Sequence, residues 1–251
     1  MSRQDIQFQK LNVEPTYRVL SQSIIEQILN GTLKPGDTLP TEASLCAQFG
    51  VNRSSVREGI RLLEEGGMLR RVNAKRLVVS RPTTTEMAEQ LERGMRLHEV
   101  TFLELWETAM LLEPKTAALA AVHLDAKDIE ALELNLKQTR LALGNAELLA
   151  SLDVQFHALV ANGVHNRVLL LTREPMARLF YPAFEAVLSR VPESGARLLE
   201  AHEAIVAALK AGDTLDASSW MEKHIKDFKR GFELASLDLA SSEIQRIGKS
   251  T

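Results

Sequence analysis

The sequence has a single cysteine and no long hydrophobic run. One cysteine, Cys46, rules out an intrachain disulfide and is typical of a reducing cytoplasm. Because Cys46 falls on an apolar helical face, a buried structural thiol is favoured over a redox sensor. No stretch approaches the length of a membrane span, and the first residues have no hydrophobic core of a signal peptide. We therefore expect a cytoplasmic protein with no membrane association.

Positive charge is also in short supply, which at first argues against a nucleic-acid partner. The chain has 30 Lys and Arg against 33 Asp and Glu, a net charge of −3. The balance differs along the chain, however. Residues 1–80 carry 11 Lys and Arg against 8 Asp and Glu, whereas residues 81–251 carry 19 against 25. The basic side chains are therefore concentrated in the N-terminal part, where contact with DNA phosphates would need them.

The segment from Leu39 to Glu58 has the pattern of two short helices joined by a tight turn at Gly50. Asn52 or Ser54 can cap the second helix, because a short polar side chain satisfies the free amides at a helix start. A helix-turn-helix places the first residues of its second helix in the major groove of DNA. Arginine suits phosphates or guanine edges, and hydroxyls suit phosphates. We therefore predict that duplex DNA is bound through Asn52, Arg53, Ser54, Ser55 and Arg57.

Two short β-type runs, 69–72 and 77–79, follow the second helix and predict a hairpin. The hairpin tip carries Lys75 and Arg76 next to Asn73, and these three are further predicted DNA-binding residues. An amphipathic helix over 17–29 precedes the helix-turn-helix. Residues 1–80 are therefore predicted to form a winged helix-turn-helix domain.

The rest of the chain has a helical pattern, so the predicted fold is mainly α. Residues 81–86, which include Pro82 and three threonines, predict a linker, and residues 87–240 predict an all-helical bundle of six to seven helices. Apolar residues recur at three- and four-residue steps near 86–98, 101–122, 125–143, 145–162, 166–189, 194–211 and 213–237. The polar residues 241–251 predict a frayed tail.

Four residues of the helical region have the chemistry of metal ligands. Asp153 and His157 are four residues apart and share one helical face. His202 and His224 follow on later amphipathic segments, and a helical bundle can collect ligands from facing helices. One carboxylate and three imidazoles suit a divalent transition metal, with zinc or nickel expected. The spacing alone leaves open that these are ordinary core or surface residues.

The N-terminal part closely resembles the GntR family of bacterial transcription regulators. The family pattern G-x-L-x-P-G-x-x-L-P-[ST]-E, then G-V-[ST]-R-x-x-V-R-E-A-[LI], then L-x-x-x-G, is matched at nearly every position over residues 31–67. The family often has an arginine that reaches a base just after this Pro-Thr-Glu, where Ala43 stands here. It usually has a glycine at the wing tip, where Asn73 and Ala74 stand. These departures bear on operator sequence and minor-groove contact.

The helical region is similar to the effector domain of the FadR subfamily, the FCD domain. Metal-binding members carry D-x-x-F-H, then H-x-x-[IL]-x-x-A-[IL] before Gly-Asp, then a final His one helix on. The resemblance implies that Asp153, His157, His202 and His224 fill all four ligand positions. Members that sense carboxylates often have Arg where Ala109 stands here. Arg178 and Tyr181 are candidate effector-binding residues in its place.

The leading interpretation is a ligand-responsive transcription regulator that is not an enzyme and acts as a repressor. It would bind a pseudo-palindromic operator as a homodimer and sense a small metabolite, such as an organic acid, at its metal site. One alternative is a metal-dependent hydrolase fused to a DNA-binding head, which would need a general base or nucleophile that no motif supplies. A second alternative is a metal-free sensor of acyl-CoA, which would have no need of the Asp and His set.

Overall fold

The computed structural model describes residues 14–73 and 76–241 of the chain. The chain divides between Glu86 and Met87 into two compact units. The first unit contains a small antiparallel sheet, and the second is all-helical, which confirms the mainly α fold with an N-terminal winged helix-turn-helix. None of the helices in the described ranges is long and apolar enough to cross a membrane.

The first unit is a three-helix core followed by a β-hairpin. Its elements are α1 (Thr16–Leu29), α2 (Glu42–Phe49), α3 (Arg53–Glu65), β1 (Leu69–Asn73) and β2 (Arg76–Val79). The hairpin is antiparallel, with Leu69 opposite Val79 and Arg71 opposite Leu77. Apolar side chains from all three helices and both strands form one core, with Leu20, Val56 and Ile60 almost fully buried.

Local chemistry fixes the turn between α2 and α3. Thr41 caps α2, since its hydroxyl accepts a hydrogen bond from the Ser44 amide. Gly50 ends that helix in the left-handed conformation, at φ 66°, which a residue with a Cβ rarely adopts. Asn52 then caps α3 through the Ser55 amide. Two helices separated by so short a turn hold the first residues of α3 at a fixed angle.

The second unit contains seven helices among the described residues, counting α4, which begins just before the division. They are α4 (Thr84–Leu97), α5 (Phe102–His123), α6 (Ala126–Leu141), α7 (Ala146–Asn162), α8 (Arg167–Arg190), α9 (Glu193–Ala211) and α10 (Thr214–Leu234). Four of these helices begin at a capping side chain: Asp125, Asn145, Asn166 and Asp213 each accept hydrogen bonds from amides of the next turn.

Helix α5 lies at the centre of this bundle, packed against α7, α8, α9 and α10. One buried cluster joins Ala117 and Ala120 of α5 to Phe156 of α7 and Ile205 of α9. A second cluster surrounds Phe102, whose ring is stacked on Phe232 with 3.8 Å between centroids. The candidate ligands on α7, α9 and α10 therefore face a bundle interior around α5.

Candidate metal centre and DNA-binding surface

Three helices bring the four predicted ligands into one buried cluster. Asp153 and His157 lie one turn apart on α7, His202 lies on α9 and His224 lies on α10. The three histidines are buried, and Asp153 is 13% exposed at its side chain. One potential ligand atom from each residue lies within 4.8 Å of all the others. The cluster joins residues up to 71 positions apart, so only the packing of the helices creates it.

Four separations within the cluster are close to those around a single small ion. Asp153 Oδ1 lies 3.2 Å from His202 Nε2, 3.3 Å from His224 Nε2 and 3.8 Å from His157 Nε2. The Nε2 atoms of His157 and His224 are 3.1 Å apart. Two donors that each lie about 2.1 Å from one ion are about 3.0 Å apart at a right angle and about 3.4 Å apart at the tetrahedral angle. The donor set could therefore hold a divalent ion after small adjustments.

Buried polar atoms without well-aligned hydrogen bonds also favour a bound ion at this cluster. Asp153 Oδ1 and both ring nitrogens of His202 are buried and form no well-aligned hydrogen bond among the described residues, although Asp153 Oδ1 and His202 Nε2 are only 3.2 Å apart. Such atoms are costly to bury, and a bound ion is one explanation for them. Burial lowers the pKa of His202 to about 3, which keeps its imidazole in the neutral form that binds metals. Burial alone would raise the pKa of Asp153, but the charge of His157 and the other two imidazoles outweigh it and hold this pKa below its ordinary range.

A carboxylate behind His157 orients its ring. His157 Nδ1 lies 2.9 Å from Glu113 Oε2, and Arg173 Nε donates to Glu113 Oε1 at 3.1 Å. When Nδ1–H donates to Glu113, the Nε2 lone pair faces the cluster, an arrangement that metal-binding histidines usually have. Burial raises the pKa of Glu113, but the charges of His157 and Arg173 and hydrogen bonds from both bring it down to about 2. Glu113 is therefore a carboxylate.

The ring of His202, a second candidate ligand, is held by packing. The ring of His202 is stacked on Phe156, with 3.6 Å between centroids and an interplanar angle of 10°. Phe156 is the aromatic residue of the D-x-x-F-H motif and is itself fully buried. The motif therefore supplies a stacking surface for a candidate ligand on another helix as well as two candidate ligands of its own.

A cavity of about 50 Å³ lies beside the cluster and is lined by residues of α5, α7, α8 and α10. Asp153, His157 and His224 form part of its wall, and so does Tyr181, one of the two candidate effector-binding residues. The other candidate, Arg178, is not among the lining residues. Its guanidinium lies 3.7 Å from Glu174 and 3.8 Å from Glu89.

Two charged residues that line this cavity were not identified from the sequence, Arg173 and Glu113. Both are charged yet buried, and both line the cavity. The signal that could have found them is a charged residue on an otherwise apolar helical face, since such residues are rarely buried without a partner. Ala109 also lines the cavity, at the position where carboxylate-sensing members of the similar family often have arginine. Arg173 on α8 thus brings a guanidinium to a wall that lacks one on α5.

The first turn of α3 presents the predicted DNA-binding side chains on the surface. Arg53, Ser54 and Arg57 are exposed and Ser55 is half-buried. The Asn52 side chain caps the helix and also accepts from the Ser54 hydroxyl at 2.7 Å. Arg53 Nε donates to Glu42 Oε2 at 3.2 Å, whereas Arg57 has no hydrogen bond or ion pair among the described residues. Arg57 is therefore the freer of the two guanidinium groups.

The wing brings two of its three predicted residues together. The Asn73 side chain accepts from the Arg76 amide at 3.0 Å, and Arg76 Nε donates to the Thr38 hydroxyl at 3.2 Å. Both Asn73 and Arg76 are exposed. Lys75, the third predicted residue, lies outside the described residues.

Both parts of the chain match known protein families. Residues 16–79 match the bacterial regulatory proteins of the gntR family, and residues 104–227 match the FCD domain. The Uxu operon regulator of Haemophilus influenzae is 30% identical over 237 residues, which cover 90% of this chain and 85% of that protein. The transcriptional regulator LutR of Bacillus subtilis is 28% identical over 202 residues, covering 79% of this chain and 92% of that protein.

A solved structure supports the fold. The Streptococcus agalactiae protein GntR superimposes with a TM-score of 0.60 at 22% identity, covering 85% of this chain and 99% of that one. The matched families and relatives are transcription regulators and not enzymes, which confirms the expected functional class and removes the hydrolase alternative. The chain belongs to the GntR family of bacterial DNA-binding transcription regulators, with an FCD domain as its second part.

Proposed function

We propose that this regulator senses a small metabolite at a metal-containing site in its helical unit and releases its operator in response. The observation that carries the proposal is the cluster of one carboxylate and three imidazoles, buried and next to a cavity. Asp153, His157, His202 and His224 would hold the ion. A divalent transition metal offers a Lewis-acidic position to an oxygen atom of an effector. The cavity beside the cluster supplies the space for the remainder of that effector.

Zinc or nickel suits this donor set. Neutral imidazole binds both metals well, and the single carboxylate adds one negatively charged oxygen ligand. Four protein donors complete a tetrahedral zinc site, while nickel commonly takes further ligands. If the effector binds the ion directly, nickel is therefore the better candidate, because it can accept a further ligand.

DNA binding is assigned to the first turn of α3 and to the wing. Asn52, Arg53, Ser54, Ser55 and Arg57 would contact the major groove or its phosphates, and Asn73, Lys75 and Arg76 would contact the backbone beside it. Exposure of Arg53, Arg57 and Arg76 supports this assignment. In the free protein Arg53 is paired with Glu42, so contact with DNA exchanges that partner for a phosphate or a base.

A homodimer on a pseudo-palindromic operator completes the proposal. Helix-turn-helix heads generally act in pairs, because half-sites repeat with the turn of the double helix. The helical unit also exposes large apolar side chains on α4 and α8, including Leu91 at 47%, Leu97 at 86% and Val168 at 70%. Clusters of exposed apolar side chains often mark surfaces that a partner covers.

The direction of regulation is proposed to be repression. One relative of this chain is named an activator, the Glc operon transcriptional activator of Escherichia coli, at 28% identity over 172 residues that cover 66% of this chain and 68% of that protein. Similarity to known regulators therefore does not distinguish repression from activation. Transcription in vitro from a promoter that carries the operator separates them. Repression predicts fewer transcripts when the protein is added, and more transcripts would contradict it.

Arg57→Ala tests the DNA-binding assignment. Loss of a guanidinium that contacts a guanine should weaken operator binding by about 1–3 kcal/mol and relax base preference, as measured by gel-shift titration at fixed salt. Arg140→Ala is a matched control, because it removes the same charge from a residue that pairs with Glu203 in the helical unit. Equal operator affinity for wild type and Arg57→Ala would overturn the assignment.

A further inference from the structure

The cavity beside the candidate metal centre has two chemically different ends. The polar end consists of Arg173, Glu113 and the ligands Asp153, His157 and His224. These groups contact one another, since Glu113 bonds both His157 and Arg173. The other end is aromatic and consists of Trp106, Phe180, Tyr181, Phe184 and Phe228. Aromatic residues make up only 5% of the chain, so their concentration around one cavity is far above the average.

The helices place these ends in order along the cavity. On α8, Arg173 is followed on the same face by Phe180 and Phe184, about 10 and 16 Å further along the helix axis. On α10, His224 is followed one turn later by Phe228. The aromatic rings contact one another, with the Phe228 ring 4.7 Å from Phe184 and 5.8 Å from Phe180 in edge-to-face geometry. The wall therefore changes from charged to aromatic along two separate helices.

Arg173 is suited to hold an anion at the polar end. Its Nε donates to Glu113 and one Nη donates to the Val154 carbonyl at 3.2 Å. No further partner is recorded for this guanidinium among the described residues, so other N–H groups are available at the cavity wall. A guanidinium presents parallel N–H groups that match the two oxygens of a carboxylate.

The charge of the polar end also favours an anion once a metal is bound. Asp153 and Glu113 are negative and Arg173 is positive, so with neutral imidazoles the net charge is −1. A divalent ion changes this to +1. An uncharged effector gains less from this charge than a carboxylate, which is attracted as an anion to both the ion and the guanidinium.

We propose that the effector is a carboxylate with a compact aromatic body, and that Arg173 is the residue that selects its charge. This inference rests on the proposed function, because the metal supplies part of the positive charge. The carboxylate lies at the polar end, against Arg173, and the ring lies among Phe180, Phe184, Phe228 and Trp106. An engineered cavity of about 150 Å³ holds a benzene ring. The present 50 Å³ therefore requires the lining side chains to move apart on binding, a common adjustment at binding sites.

Calorimetric titration of full-length, metal-loaded protein with three probes tests the class of effector. Benzoate carries both a ring and a charge, benzamide carries the ring without the charge, and acetate carries the charge without the ring. Wild type should bind benzoate at least about 10-fold more tightly than either of the others. Benzamide or acetate binding as tightly as benzoate would overturn the proposal, and so would the absence of benzoate binding to metal-loaded wild type.

Variants of α8 test the role of Arg173. Arg173→Gln should weaken benzoate binding at least about 10-fold and leave benzamide binding unchanged. Arg178→Gln is the control, because it removes the same charge from the same helix at a residue outside the cavity. A residue that only neutralises Glu113 would alter stability without changing the ratio of benzoate to benzamide affinity, so an unchanged ratio in Arg173→Gln overturns the assignment.

A second variant and a measurement of metal content separate a folding defect or missing metal from a failure of the proposal. If Arg173→Gln does not fold, Arg173→Lys retains the charge next to Glu113 but lacks the planar fork. Its ratio of benzoate to benzamide affinity should fall several-fold, and a wild-type ratio would overturn the assignment. Metal content is measured on the same samples. Wild type without metal refutes the proposed function, whereas metal-loaded wild type that does not distinguish benzoate from benzamide refutes only the present inference.

Discussion

Replacing Glu113 by glutamine removes the charge that supports the candidate metal centre and keeps the size of the side chain. His157 and Arg173 share this carboxylate at 2.9 and 3.1 Å, and both charged side chains of the Glu113–Arg173 pair are no more than 10% exposed. The variant therefore leaves a buried guanidinium without its counter-charge. Removal of one partner from a buried ion pair costs about 3–5 kcal/mol, and we expect the lower end of this range.

Asp227→Asn provides the matched control for this loss. Asp227 pairs with Arg197 at 2.9 Å, but each side chain of that pair is 30% exposed. An exposed pair contributes about 0.2–1 kcal/mol, because water screens it. In a domain of this size, a loss of about 3 kcal/mol lowers Tm by about 6–12 °C, while the control should lower it by about 4 °C at most. Calorimetric melting of the metal-free proteins measures both.

The same variant should weaken metal binding. Without an anionic acceptor, the His157 ring is less firmly oriented and less basic, and loss of such a partner typically reduces metal affinity by about 10–100-fold. Competition titration against a chelator of known affinity measures this change. A Glu113→Gln variant that is no less stable than Asp227→Asn would contradict the role of Glu113 as the counter-charge of Arg173. Zinc and nickel binding as tight as in wild type would contradict its role in orienting His157.

Two other predictions concern the helix-turn-helix and the assembly. A Cβ added at Gly59 would lie 2.7 Å from Leu20 Cδ2 and 3.0 Å from the Tyr17 carbonyl oxygen, so Gly59→Ala should lower the free energy of unfolding of the first unit by about 1–3 kcal/mol. Gly94→Ala, where a Cβ meets open space in a helix, should instead be neutral or stabilise by up to about 1 kcal/mol, and equal effects in denaturant titrations would refute the packing argument. Light scattering of the full-length protein should give the mass of a dimer, and a monomer both free and on DNA would exclude the proposed assembly.

The helix-turn-helix could be predicted from the sequence because its determinants are local. Gly50 must adopt a left-handed conformation and Asn52 caps the next helix, and both requirements are readable within a few residues. The pairing of Arg53 with Glu42 was not predicted, since it depends on how α2 and α3 are packed. The turn and the start of the second helix could therefore be predicted, but the ion pairs on its surface could not.

The clustering of the candidate ligands could be predicted in part. The spacing of Asp153 and His157 places both on one face of a helix, whereas His202 and His224 join them only through the packing of three helices. The contacts of Glu113 with His157 and Arg173 span 44 and 60 residues, and helical periodicity does not say which helices face each other.

The choice of arginine on α8 illustrates the same limit. Arg173 and Arg178 are five residues apart, so they point about 140° away from each other around the helix. A sequence pattern can say that the two differ in direction, but only the position of α8 in the bundle decides which faces the cavity. That is why Arg178, a candidate from the sequence, pairs with glutamates and Arg173 lines the cavity.

The metal content of the full-length protein shows whether the Asp and His cluster binds an ion. Elemental analysis of wild type, His157→Ala, His202→Ala and His224→Ala is compared with His98→Ala, which removes an exposed histidine outside the cluster. We predict one divalent transition-metal ion per chain in wild type and in His98→Ala, and strongly reduced content in the three cluster variants. Equal metal content in all five proteins, or no metal in wild type after loading with zinc or nickel, would contradict this prediction.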